Sequence, residues 1–244
     1  MKIVINGSRG KMGQTLVAFA TEHAELTLAG EVDLGDSLAD VVSQTRPDIV
    51  VDFTRPEARM ETVRTALEGG ASAVVGTTGF TPEDREEIGG WVKRTGKGCF
   101  IAPNFQIGNV LMQQFARSAA RYFEYAEVIE YHHETKVDYP SGTAVRTAEL
   151  MAEARDAFNE GTRDKVANVE GARGGEVAGI RLHAVRMPGF IASQEVLLGA
   201  PGQYLTIRHD SVDRQSYMPG VLLAAKHIVD RAELVYGLEH ILKI

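Results

Sequence analysis

The stretch KIVINGSRGKMGQTLVAFAT, residues 2–21, decides the fold. Ile3 to Asn6 is a short apolar run that stops at Gly7. From Lys11 to Thr21 the apolar residues fall at Met12, Leu16, Val17 and Phe19–Ala20, a helical spacing. Gly7, Gly10 and Gly13 lie between strand and helix in a G-x-x-G-x-x-G spacing, a variant of the dinucleotide fingerprint. One glycine permits the tight turn, one lets backbone amides approach a pyrophosphate, and one lets helix and strand pack closely. The helix start adds favourable potential for an anion. Gly7, Arg9, Gly10, Lys11, Met12 and Gly13 are thus candidates for holding a dinucleotide, with a plain turn as the bland alternative. No G-K-[ST] follows, so the loop is not a P-loop.

Outward from this loop, strand and helix signals alternate. Leu26–Val32 reads as a second strand, closed by Glu31-Val32-Asp33. A carboxylate there suits the ribose hydroxyls of NAD, whereas Arg9 and Lys11 suit the extra phosphate of NADP, so the sequence leaves NADH and NADPH both open. Asp48–Phe53 is apolar enough for burial on both faces. Pro56 opens a helix that ends at Gly69-Gly70, Ala73–Val75 is a fourth strand, Thr81-Pro82 caps another helix, and Cys99–Ala102 is a fifth strand. The expectation is an α/β fold, a Rossmann-like doubly wound parallel sheet.

The pattern changes after Asn104. Helices are expected over 107–123 and from Ser141 to about Phe158, with a strand at Glu127–Tyr131 between them. Residues 159–179, with Gly161, Gly171, Gly174, Gly175 and Gly179, read as a long loop. Strands follow at Ile180–Met187, Ile191–Leu198 and Tyr204–His209, which points to a second α+β domain with a mixed or antiparallel sheet. Val221–Val229 restores a helix, expected to return to the first domain. The domains are drawn as 1–105 with 216–244 for the dinucleotide, and 106–215 for substrate and oligomerisation.

The 244 residues carry 26 basic and 33 acidic side chains, net −7. Residues 105–215 hold 12 basic and 15 acidic groups, net −3. Neither figure suits a nucleic-acid binder, whose affinity needs clustered Lys and Arg. One cysteine, Cys99, excludes an internal disulfide and a cysteine zinc site. No apolar run approaches the ~20 residues of a membrane span, and a signal peptide is not evident, so a cytoplasmic protein is expected.

The densest polar cluster is EYHHETKVDYPSGTA, residues 130–144. His132, His133 and Lys136, followed by a helix start at Ser141-Gly142-Thr143, suit an acidic substrate. A capped polar loop is the plainer alternative. Adjacent strand histidines point to opposite faces and make a poor chelate, and H-E-x-x-H is absent, so no metal is expected. G-x-S-x-G is absent too, which argues against a serine hydrolase.

With these residues in view, the chain resembles the dihydrodipicolinate reductase (4-hydroxy-tetrahydrodipicolinate reductase) family over essentially its whole length. The resemblance runs through Asp52-Phe53-Thr54, Gly76-Thr77-Thr78-Gly79-Phe80, Ala102-Pro103-Asn104-Phe105 and the H-H-x-x-K-x-D-x-P-S-G-T-A string at His132–Ala144. Tyr139 stands where the family usually has alanine, a change that bears on the pocket entrance. The resemblance implies an NAD(P)H-dependent oxidoreductase of diaminopimelate and lysine biosynthesis, with hydride added to C4 of a cyclic imine. It implies His132 and Lys136 as the proton-supplying pair, and His133, Lys136, Gly142 and Thr143 on the substrate carboxylates. It places Asp33 at the ribose and Phe53, Gly76, Thr77, Thr78, Ala102, Pro103, Asn104 and Phe105 on the nicotinamide side. Thr77-Thr78 as a mere turn, and Phe53 and Phe105 as core aromatics, are the plainer readings of the residues themselves. It further implies a homotetramer built through the second sheet. Competing function classes are another nicotinamide-dependent dehydrogenase, disfavoured by the His132–Ala144 string, and a non-catalytic dinucleotide sensor, disfavoured by the lack of a basic second half.

Overall fold

A computed structural model describes residues 1–160 and 167–242. Gly161 therefore lies outside the described residues. The chain divides into two compact units, one of Met1–Ile107 with the segment from Arg214 onward, the other of Gly108–Asp213.

The first unit alternates strand and helix. In order come β1 (Lys2–Asn6), α1 (Lys11–Glu22), β2 (Thr27–Val32), α2 (Leu38–Thr45), β3 (Ile49–Asp52), a 3-10 turn at Pro56–Ala58, α3 (Arg59–Glu68), β4 (Ser72–Val75), α4 (Pro82–Thr95) and β5 (Cys99–Ile101). β3, β4 and β5 are buried along their whole length, as strands covered on both faces by helices must be. On one face, Val50, Ala73, Val75, Cys99 and Ile101 join Leu67, Ile88 and Trp91 in one core. α4 begins with a complete capping box, Thr81 with Asp84, and ends at Gly96 in the left-handed conformation.

The second unit holds α5 (Ile107–Ala120, its first residue in the first unit), β6 (Tyr125–His132), α6 (Gly142–Ala152), β7 (Gly175–Val177), β8 (Ile180–Arg186), β9 (Ala192–Ala200) and β10 (Gln203–Ser211). The chain then returns to the first unit with a 3-10 turn at Arg214–Tyr217, α7 (Met218–Ile228), β11 (Leu234–Tyr236) and α8 (Glu239–Leu242). β11 lies parallel to β5 and completes a six-stranded parallel sheet of order β11-β5-β4-β3-β1-β2. The second sheet, β10-β9-β6-β8-β7, is mixed: β6 and β8 are parallel and the other pairs antiparallel. The Rossmann-like sheet and the α+β second unit are as the sequence predicts.

The sequence reading names no α2, β11 or α8, and three further differences have local causes. α5 stops at Ala120, where the bond from Tyr122 N–H to the Ala119 carbonyl, three residues back, turns the chain. α6 stops at Ala152 rather than Phe158, since Phe158 is drawn into the core and Asn159, at φ +60°, binds the start of β6 through its amide. The loop reading of 159–179 misses β7, which pairs with β8 across a turn at Ala178-Gly179, both at positive φ.

Candidate active site

In the first unit the glycine loop forms the floor of a cleft of about 850 Å³ lined by Gly7, Gly10, Asp33, Leu34, Phe53 and Arg55, among others. That volume falls within the range of small-molecule and cofactor sites. Gly7 sits at φ +87°, and a Cβ there would lie 2.7 Å from the Phe53 carbonyl oxygen. A Cβ on Gly13 would lie 2.0 Å from the Gly7 carbonyl, so α1 packs on the loop only with glycine. Gly10 caps α1 without a side-chain bond and no acidic residue occupies its first turn, so neither a capping side chain nor a first-turn carboxylate competes with an anion for the Lys11, Met12 and Gly13 amides. This cradle fits a dinucleotide pyrophosphate.

Asp33 follows β2 and accepts bonds from the Arg9 amide at 2.7 Å and the Leu34 amide at 2.7 Å. These amides hold its carboxyl below the usual aspartate range. The Arg9 guanidinium is turned to Asp36 at 2.9 Å. Leu34 is exposed beside the cleft. Three strand ends meet at Asp52, which is fully buried. It accepts from Thr77 Oγ1 at 2.7 Å, Asn6 Nδ2 at 2.9 Å and Thr54 Oγ1 at 2.9 Å. Burial pushes the Asp52 carboxyl up, and these hydrogen bonds only partly oppose it. Gly76 lies against the Phe53 ring, where a Cβ would come within 2.1 Å of the ring. Thr77 is buried and Thr78 exposed. Ala102 and Phe105 are buried, the Phe105 ring centred 5.9 Å from that of Phe53; Pro103 is exposed and Asn104 half-buried.

In the second unit β6 ends at His132 and α6 begins after Ser141, whose hydroxyl accepts from the Ala144 amide. Gly142 and Thr143 head the helix before that bond. His132 Nδ1 bonds Glu130 Oε2. Glu130 also takes both arms of Arg186, Nη1 on Oε2 at 2.8 Å and Nη2 on Oε1 at 2.7 Å, and the Ser141 amide on Oε1 at 3.2 Å. Burial alone would raise the Glu130 carboxyl, but His132 and Arg186 outweigh it and hold the carboxyl below its usual value. Lys136 Nζ donates to Asp138 Oδ1 at 2.6 Å, which lowers the Asp138 carboxyl. His133 Nδ1 lies 2.7 Å from the Thr135 hydroxyl. The Tyr139 ring points to solvent. Among the described residues, no three His, Cys, Asp or Glu side chains form a metal cage.

Sequence reasoning gave no role to Asp52, Glu130 or Arg186. Glu130 carried a signal, two residues before His132 on a strand and hence on its face. Arg186 carried none, because only the β6–β8 register sets it beside His132.

The family profile described as "Dihydrodipicolinate reductase, N-terminus" matches residues 1–105, and "Dihydrodipicolinate reductase, C-terminus" matches residues 108–242. A 4-hydroxy-tetrahydrodipicolinate reductase of Listeria monocytogenes serotype 4b is 45% identical over 262 residues, covering 99% of this chain and all of that one. One from Streptococcus suis is 48% identical over 253 residues, covering 99% of each. The dipicolinate-bound dihydrodipicolinate reductase of Paenisporosarcina sp. TG-14 superposes with a TM-score of 0.90 at 38% identity, covering 99% of each chain. With both profiles together spanning nearly its whole length, the chain belongs to the dihydrodipicolinate reductase family, NAD(P)H-dependent oxidoreductases of lysine biosynthesis.

Proposed function

We propose that the chain reduces 4-hydroxy-tetrahydrodipicolinate to tetrahydrodipicolinate, with water lost from the hydroxylated precursor. The observation that carries this reading is the segment His132–Thr143. It holds an imidazole fixed through Nδ1, an ammonium paired with Asp138, and an open helix start, within one short stretch. Reduced nicotinamide, when bound, supplies the hydride for C4 of the ring imine. The chain's residues do the rest. His133, Lys136 and the amides at Gly142 and Thr143 hold the substrate carboxylates, as cations and helix amides do. Hydride addition leaves electron density on the far side of the conjugated system, and that atom needs a proton. His132 presents Nε2 for this transfer because Nδ1 is occupied, and imidazole suits proton donation near neutrality. The Lys136 cation stabilises the developing charge.

On the cofactor side, the α1 start with Gly7, Arg9, Gly10, Lys11, Met12 and Gly13 takes the pyrophosphate, and Asp33 takes the ribose. Phe53, Gly76 to Thr78 and Ala102 to Phe105 take the nicotinamide side. Asp33 favours a free 2′-hydroxyl, whereas Arg9 and Arg55 favour a 2′-phosphate, so both NADH and NADPH serve and Asp33 discriminates between them. The protein is read as a cytoplasmic homotetramer joined through the second sheet. No described helix is long and apolar enough to cross a membrane.

The test mixes protein with substrate made fresh by a synthase and follows nicotinamide absorbance. Oxidation is expected with NADH and with NADPH; none with either would refute the proposal. His132→Gln should lower kcat about 100-fold or more with the nucleotide Kd unchanged. Unchanged turnover removes His132 from the chemistry. Asp33→Asn should raise kcat/KM for NADPH relative to NADH, and an unmoved ratio would clear Asp33 of that role.

A further inference from the structure

Glu130 is 1% exposed, and so carries a charge that water does not solvate. Such a carboxylate is costly unless each oxygen is matched. Here the matching is divided in a telling way. Each oxygen takes one Arg186 arm and one second partner: Oε2 takes Nη1 and His132, Oε1 takes Nη2 and the Ser141 amide. Arg186 Nη2 also donates to the Asp138 carbonyl at 2.7 Å, in the loop that carries Lys136. One ion pair thereby fixes the imidazole, the start of α6 and the Lys136 loop together. A guanidinium that only stapled β6 to β8 would not need the imidazole on the same oxygen.

Taking His132 as the proton donor of the proposed reaction, we propose that Glu130, clamped by Arg186, is the positioning residue for it. Glu130 accepts from Nδ1–H, which locks the ring orientation and leaves Nε2 as the working atom. When Nε2 gives up its proton, Nδ1–H stays on Glu130 and the ring keeps its place. Arg186 balances the Glu130 charge, so the carboxylate holds the Nδ1 proton without removing it. Beside this cluster, Lys136 and Asp138 pair with each other. The same logic applies to histidine ligands and bases held by a second carboxylate elsewhere.

Three measurements test this. Glu130→Gln keeps the shape but sets an amide N–H₂ against the donors of Arg186, Ser141 or His132. Its kcat should fall about 10- to 100-fold, with nucleotide Kd within about twofold of wild type. The double variant with His132→Gln should be no slower than His132→Gln alone, because both changes disable one unit. In ¹⁵N spectra of labelled imidazole, neutral His132 should be the Nδ1–H tautomer in the wild type and a mixture in Glu130→Gln. Full kcat in Glu130→Gln, additive losses in the double variant, or an Nε2–H tautomer in the wild type each overturns the inference. Should Glu130→Gln not fold, the wild-type spectrum decides by itself. Loss of activity in His132→Gln beside a silent Glu130→Gln would leave the proton donor standing and remove only its positioning residue. An active His132→Gln would instead remove the donor, and with it the role of Glu130.

Discussion

Asp52 shows how one side chain ties an apolar strand to a site. It ends the run Ile49–Asp52, and its partners Asn6 and Thr77 come from 46 and 25 positions away. The carboxyl is raised above the usual aspartate value of 3.8 because burial disfavours its charge. The folded state therefore holds this proton more tightly than the unfolded chain does. That contribution is full below the unfolded value and disappears as pH rises through the folded one. Relative to Asp52→Asn, the wild type should be most stable at acid pH and lose ground as pH rises; urea unfolding of both proteins across pH checks this. A constant difference would mean that Asp52 keeps an ordinary affinity for its proton. Asp52→Ala strands buried donors and should cost about 1–3 kcal/mol in the same experiment. The candidate residues were readable in the chain: the glycines, Asp33, His132 and Lys136. Their partners were not, because Asp52 with Thr77 and Glu130 with Arg186 meet only after the strands align.

At the scale of elements, local chemistry predicted best where it was complete. α4 carried Thr81, Pro82, Asp84 and Gly96, and its ends follow from them. α2, β7 and β11 have 8, 3 and 3 residues, too few for a period to show. β11 exists because β5 offers it an edge, and β7 because β8 does. Two glycines separate local from tertiary demand. Gly90 sits in α4 with open space where a Cβ would stand, so Gly90→Ala should stabilise by about 0.5–1 kcal/mol in thermal unfolding. Gly13→Ala drives a methyl into the Gly7 carbonyl, so the loop must deform. Its nucleotide Kd by calorimetry should rise about tenfold or more, a loss of at least about 1.4 kcal/mol. Native affinity would show that the loop yields without harm to binding.

For the whole molecule, the chain end matters more than its length suggests. After the second unit it returns as α7 and β11, and α7 packs so closely that a Cβ on Gly220 would lie 1.9 Å from the Phe105 carbonyl. Gln106 and Ser216 are hydrogen-bonded at 2.8 Å in the same unit. The second sheet leaves β10 as an edge strand with Tyr204 and Leu205 exposed. If the proposed tetramer joins through this sheet, sedimentation should show a single tetrameric species, and Tyr204→Glu with Leu205→Glu should shift it to smaller ones. A wild-type monomer would refute the assembly.

Local sequence was enough to set the order of strands and helices in the first unit, the glycine cradle and the run from His132 to Ala144. These depend on neighbours close along the chain: hydrophobic period, caps, and a turn that only glycine can make. The edge strands β7 and β11 and the pairing of Glu130 with Arg186 arose only in the folded molecule. Those depend on sheet register and on burial, which set a charge's partner and its proton affinity. Residues 56 positions apart become neighbours only when β6 and β8 lie side by side.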